Sequence, residues 1–443
     1  MIHHCLAVLL SFSLNPSYSQ EWERQAISKL PVDYGVFSIS VVDENTVWAV
    51  AFDQTIGLDI PATHVIKVLR TVDGGKNWKT YNVIEASGRI SFDIVGLDSS
   101  VALITTQDFN SGKGYGVFKT IDGGMIWSEK LSDPAGGVWI RFFDRLEGIV
   151  INRHLMAKTF DGGETWTRIL ESRIPPYHDD EFTLLASGTN SCVAVGDFIW
   201  FGTTSGRIYR SSNRGNSWEV YNTSLGPDAL ITSIAFSDTL AGLATDSNEP
   251  FNTFCTTSDG GKTWTNRGSS TNISIGNITH VPGTEGFFIA TSDAFTNPEN
   301  RMSAYSEDYG HNWIINSEGL AFGGTQFIRP GIGWSSIQEF GPGEKAAMLK
   351  WIDQSAPEAY QEQEAAKMIL FPNPTKSYLS IKEVDGVFFP YKIFSASGTQ
   401  IQHGAIQNEK ENIDLERLPN GIYFIEMKTK DGSTVTRQFI KVN

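Results

Sequence analysis

Thr71-Val72-Asp73-Gly74-Gly75-Lys76-Asn77-Trp78 reads as a tight hairpin turn, and the chain writes it six times. The pattern is Ser or Thr, any residue, Asp, any residue, Gly, two variable positions and Trp. It returns with Asp122 and Trp127, with Asp161 and Trp166, with Asp259 and Trp264, and with Asp308 and Trp313. One further copy, Ser211 to Trp218, carries Asn213 in place of Asp. Asp-Gly between strands is a turn signal because Gly accepts positive φ and the carboxylate bonds nearby backbone N–H groups. The leading hydroxyl adds a bond across the turn, and the Trp packs inward between sheets. Ile126 breaks the habit of Ser, Thr or Asn before the Trp, so the second turn is expected to bond less fully.

Successive Trp residues lie about 40 to 50 positions apart, the length of one four-stranded propeller blade. Alternating apolar segments precede each turn, as in Ile231-Thr232-Ser233-Ile234-Ala235-Phe236 followed by Ala241-Gly242-Leu243-Ala244-Thr245. After the sixth copy come three more strand-like segments: Thr325–Ile328, Gly333–Ser336 and Ala346–Trp351. No turn motif follows them. Glu21-Trp22-Glu23-Arg24-Gln25-Ala26-Ile27 resembles the strand that elsewhere begins at the motif Trp. The expectation is an all-β chain with a single seven-bladed propeller, closed by its N-terminal strand; six blades with a decorated end is the alternative. Closure hides sheet edges.

The motif resembles the Asp box (BNR repeat) of sialidase-like, sortilin-like and photosystem II assembly-factor-like propellers. That resemblance makes the boxes structural and places them on the face away from any active site. Asp73, Asp122, Asp161, Asn213, Asp259 and Asp308 are then turn residues, and Trp78, Trp127, Trp166, Trp218, Trp264 and Trp313 are packing residues.

The chain has 443 residues, aromatics at 12% with 12 Trp, 42 Gly, 17 Pro and a formal charge of −15. That charge disfavours nucleic acid and anionic lipid as partners. The first 19 residues lack Lys, Arg, Asp and Glu and carry an apolar run ending near Ser17-Tyr18-Ser19, which reads as a signal peptide over 1–19. No later segment is long and apolar enough for a membrane span. Cys192 and Cys255 fall in different repeats and read as buried thiols rather than a disulfide.

The propeller is expected over 20–352 and a polar linker over 353–367. Residues 368–443 hold short alternating strands between Pro, Asn and Gly turns, as in a small β-sandwich. Phe371-Pro372-Asn373-Pro374, Ser397-Gly398, Leu418-Pro419-Asn420-Gly421-Ile422-Tyr423 and a final apolar strand resemble the type IX secretion C-terminal sorting domain. This resemblance implies the type IX machinery as partner, transit through the periplasm, and release or attachment at the outer-membrane surface.

No His-x-x-x-His, paired Cys-x-x-Cys or phosphate-cradling loop occurs, so no metal and no cofactor are expected. Two constellations remain. Asp53, Asp108, Asp197, Asp246 and Asp293 are each assigned to the opening of a loop opposite the boxes, with Asn152 and Glu339 in the matching places. They would form an acidic ring for a cation or a basic partner, or simply cap their own turns. The long loop from Glu171 to Glu181 places Tyr177, His178 and Asp179 where a ligand lip could stand. The leading expectation is a monomeric, secreted or surface-exposed binding propeller without catalysis, with a glycan or a protein as ligand. A glycoside hydrolase of sialidase-like or xyloglucanase-like type is the alternative.

Overall fold

The computed structural model describes residues 20–442 apart from 28–29, 32, 57–59, 109–113, 134–138, 153–154, 184–189, 247–252, 270–272, 274, 293–299, 338–346, 354–368, 372–374, 383–388, 396–399, 407–411 and 429–433. The chain divides into two compact units, residues 1–355 and 356–443. Among the described residues no helix is long and apolar enough to cross a membrane.

The first unit is a seven-bladed β-propeller. Seven four-stranded antiparallel sheets follow one another, and in six of them the strands pair in sequence order. The innermost strands of blades 1 to 7 are Tyr34–Val41, Ile90–Gly96, Trp139–Phe142, Cys192–Val195, Ile231–Phe236, Asn277–His280 and Phe322–Arg329. Blade 7 takes its outermost strand from the other end of the chain: Gln20–Ala26 pairs antiparallel with Ala347–Asp353, in register Trp22 to Trp351. The Trp22 and Trp351 rings meet edge-on at 4.9 Å. Ring closure by the N-terminal strand, with seven blades rather than six, is therefore the observed arrangement.

Apolar side chains of neighbouring blades interdigitate to form the core. Trp48, Ile104 and Phe118 pack together between blades 1 and 2. Trp200, Ile208, Ile234 and Phe236 do the same between blades 4 and 5. Full burial of such a side chain is worth about 1.5–3 kcal/mol, so each blade depends on its neighbours for most of its stability. Trp78, Trp127, Trp218 and Trp264 are buried, whereas Trp166 and Trp313 are half-buried.

The second unit has a three-stranded sheet of Ile369–Phe371, Tyr378–Lys382 and Asn412–Asp414. A four-stranded sheet orders Gln400–Ile406, Phe389–Ser395, Gly421–Lys428 and Thr434–Lys441. Leu379, Ile393, Ile413, Ile425 and Phe439 form its core. The Tyr423 ring stacks on Phe439, and its hydroxyl donates to the Pro419 carbonyl at 2.8 Å.

Candidate functional site

Each box hairpin consumes its own polar groups. In the first, Thr71 Oγ1 donates to Asp73 Oδ1 (2.8 Å) and accepts the Gly75 N–H (3.0 Å). Asp73 also accepts the Asn77 N–H (2.9 Å) and its Nδ2 (2.7 Å). The Gly74 N–H reaches Asn45 O in the turn between the first two strands of the blade, so boxes and those turns share one face. In the fourth box Asn213 does the work of Asp, bonding Ser211, Ser217 and its amide. These carboxylates and hydroxyls are engaged in holding the turns.

The second strands run away from the boxes, and their ends decide the acidic ring. Asp53 ends Val47–Asp53 and caps its own turn, accepting the Thr55 N–H (3.0 Å) and Oγ1 (2.7 Å). Asp246 accepts the Leu230 N–H at 2.9 Å. Asp108 ends the second strand of blade 2, and Asn152 is buried. Asp293 and Glu339 lie outside the described residues. Asp197 does not belong with them. It sits in the tight turn between Cys192–Val195 and Phe198–Gly202, on the box face, where it accepts Arg214 Nε at 2.6 Å. The second strand of blade 4 comes after Asp197 rather than before it. Among the described residues no three His, Cys, Asp or Glu side chains are grouped to hold a metal ion.

The expected lip is anchored by a wedge of two side chains. Tyr177 stacks on the fully buried Tyr209 at 4.8 Å, within the apolar cluster between blades 3 and 4. Glu181 is buried beneath it and pairs with Arg207, while accepting Thr203 Oγ1 (2.5 Å) and the His178 N–H (2.9 Å). Burial alone would raise that carboxyl, but the bonds from Arg207, Thr203 and the His178 amide hold it below the usual range. Glu171, Ser172, Arg173, Pro176, His178, Asp179 and Asp180 of this segment stand exposed. Cys192 and Cys255 are buried and unpaired, and burial pushes both thiols up to about 12.

Sequence reasoning missed the axis. Seven inner strands present seven open edges there, and side chains stitch them into a girdle. Ser40 Oγ accepts the Gly96 N–H of blade 2 (2.9 Å), and Asp93 Oδ2 accepts the Ile140 N–H of blade 3 (3.1 Å). Arg141 pairs with Asp93 and donates Nε to Cys192 O of blade 4 (3.0 Å). Asn190 O accepts the Ile234 N–H of blade 5, and Ser233 Oγ accepts the Ile278 N–H of blade 6 (2.8 Å). Asn190 Nδ2 crosses to Ile278 O (3.1 Å) and Thr325 O (3.3 Å), and Gln326 Oε1 returns to the Val41 N–H of blade 1 (2.7 Å). Above this girdle a cavity of about 720 Å³ runs toward the box face, with Pro282 and Gly283 on its rim.

The fold and its axial cavity define a seven-bladed propeller followed by a separate C-terminal domain. That domain carries an address: residues 369–442 match the secretion system C-terminal sorting domain, which marks the chain as a secreted or cell-surface protein. The propeller is similar to YCF48 from Cyanidioschyzon merolae, at 14% identity, over 75% of this chain and 98% of that one, with a TM-score of 0.52. It is also similar to YCF48 bound to D1 peptide, at 16% identity, over 76% and 99% of the two chains, with a TM-score of 0.50. A GH74 xyloglucanase from Xanthomonas campestris aligns at 10% identity over 94% of this chain and 87% of its own, with a TM-score of 0.41. At these identities the likeness shows the propeller fold alone. A comparison with curated proteins finds no match.

Proposed function

We propose that the protein is a non-catalytic binding propeller delivered to the cell surface or the medium by the type IX secretion machinery, with a glycan or a protein as its ligand. Residues 1–19 serve as leader, 20–352 as the binding domain, 353–367 as linker and 368–443 as the sorting domain, with the periplasm as the intermediate stop. The observation that carries the binding reading is the state of Asp93, the one carboxylate lining the axial cavity among the described residues. It accepts bonds from Ser38 Oγ, the Ile94 and Ile140 amides and Arg141, so both oxygens are occupied by the scaffold. A glycosidase needs two carboxyl groups about 5 to 9.5 Å apart flanking its substrate, one able to give up a proton. Asp93 is committed to structure instead. YCF48 bound to D1 peptide offers a precedent for a ligand-holding propeller of this shape. The test applies the mature full-length chain to a glycan array and to a panel of fluorogenic glycosides. Retention without turnover is expected; steady turnover of any glycoside overturns the binding reading in favour of a hydrolase.

A further inference from the structure

The girdle around the axis uses up most of its polar groups, and what remains faces the cavity. Arg141 gives Nε to Cys192 O and Nη1 to Asp93 and Ile140 O, which leaves Nη2 without an acceptor among the described residues. Its side chain is 23% exposed while that of Asp93 is 7% exposed. Because Arg141 stands on an innermost strand, that exposure is toward the axis. Gln326 has spent Oε1 on the Val41 N–H and keeps its Nε2 hydrogens. Asn190 has spent Nδ2 on two carbonyls and keeps Oδ1. Half-exposed Thr279 adds a hydroxyl, and half-exposed Ile39 and Val193 interleave aliphatic surface.

Charge in this cavity is closed. The Arg141 guanidinium is matched by Asp93 at bonding distance, and burial holds the rim residue His280 below its usual pKa, toward the neutral form. An anion would meet a pair that is already balanced, and a cation would meet an arginine. Shape narrows the choice further. The lining residues begin at the girdle, where Asn190 spans the axis, and continue to the box-face ends of the inner strands. Such a cup, about three residues of strand or roughly 10 Å deep, receives the end of a chain rather than its middle. Peptide ends carry a charge, whereas the non-reducing end of an uncharged glycan does not. Its hydroxyls both donate and accept, and its C–H faces suit aliphatic walls.

Building on the binding reading above, we propose that the axial cup on the box face is a saccharide site. It takes the neutral, non-reducing end of an oligosaccharide, with Arg141 Nη2, Gln326 Nε2, Asn190 Oδ1 and the Thr279 hydroxyl as its hydrogen-bonding groups. This site lies on the opposite face from the one where the box resemblance would place an active centre.

Titration calorimetry on the mature full-length chain tests it, with cellotetraose, maltotetraose and chitotetraose as neutral probes and trigalacturonic acid as the charged one. At least one neutral probe should bind, and the acidic probe should bind ten-fold more weakly or not at all. Val193→Phe, which narrows the cup, should abolish binding; because Val193 also packs against the cluster between blades 4 and 5, its melting temperature is measured alongside. Thr279→Val should weaken it several-fold and serves if Val193→Phe fails to fold. Equal binding of the acidic probe, or no binding by any neutral probe, overturns the proposal. Full neutral binding by both variants also overturns it, yet leaves the protein a glycan binder through another surface. Only turnover on the glycoside panel overturns the wider binding reading.

Discussion

At the position before the Trp, one side chain separates the second box from the other five. Asn77, Thr165, Thr263 and Asn312 each donate to the second carboxylate oxygen of their Asp at 2.6 to 2.7 Å, and Ser217 accepts from Asn213. Ile126 does neither. It stands 64% exposed beside Met125 and Ile121, at 68% each. The two Ile126 and Met125 amide bonds to Asp122 persist, so the hairpin forms but is under-bonded. Restoring the hydroxyl with Ile126→Thr should stabilise the protein by about 0.5–1 kcal/mol, the net value of one such bond. The readout is the urea midpoint at constant slope; no rise would mean that water already satisfies Asp122. At this scale the sequence was most legible, because a turn motif is local and its hydrogen bonds are written within eight consecutive residues.

Elements were less legible where they shrink. Blade 3 ends in a two-residue outer strand, Thr167–Arg168, and the segment after it turns inward with Tyr177 and Glu181 to fill the wall. Nothing in residues 171–181 announces this, since the partners Arg207 and Tyr209 come some 30 positions later and belong to the next blade. Asp197 was misplaced for a related reason. The strands flanking Gly196-Asp197 are four and five residues long, and the Gly at φ 59° lets them fold back in a minimal turn. Its fellow Arg214, at φ 56° where four other boxes have Gly, is held by Asp144, Glu147 and Asp197 together. The hairpins also predict an acid limb. Hydrogen bonds from Asn77, from the Ile126 amide and from Thr165 lead in holding Asp73, Asp122 and Asp161 below the usual carboxyl value of 3.8. In Asp259 and Asp308 burial pushes upward but the hairpin bonds outweigh it. A depressed folded-state pKa contributes stability that is complete above the unfolded value and is lost as pH falls through the folded one. Unfolding midpoints should therefore hold from pH 7 to about 5 and drop below about 4. Asp161→Asn combined with Asp259→Asn, which copies the natural Asn213, should flatten that drop. A double variant falling as steeply as its parent would show that other carboxylates drive the acid limb.

The molecule as a whole is closed at one seam, and one amide there bridges the closing strand, the last blade and the first. Ring closure was legible because Trp22 repeats the strand that follows each box; the girdle was not, because its junctions use Ser, Asp, Arg, Asn and Gln without any repeat. Gln25, on the closing strand, accepts Trp78 Nε1 from blade 1 (3.2 Å) and Trp334 Nε1 from blade 7 (3.3 Å) on the same oxygen. Its Nε2 donates to Gly74 O (3.4 Å), and it fills the space that a Cβ on Gly75 would take. Thus one side chain ties the last blade, the first blade and the first box. Gln25→Leu keeps the bulk but withdraws the acceptor from two buried indoles, a loss of about 2–3 kcal/mol. Because unfolding free energy varies around a structure, the damage should be local. Hydrogen exchange should accelerate in Gln20–Ala26 and Ala347–Asp353, which pair along the whole closing strand, and in the first box. Blades 3 to 5, packed against neighbours on both sides, should keep their protection. Exchange that rises evenly around the ring would show instead that the seam is no weaker than any other junction and that Gln25 is merely one of many contacts.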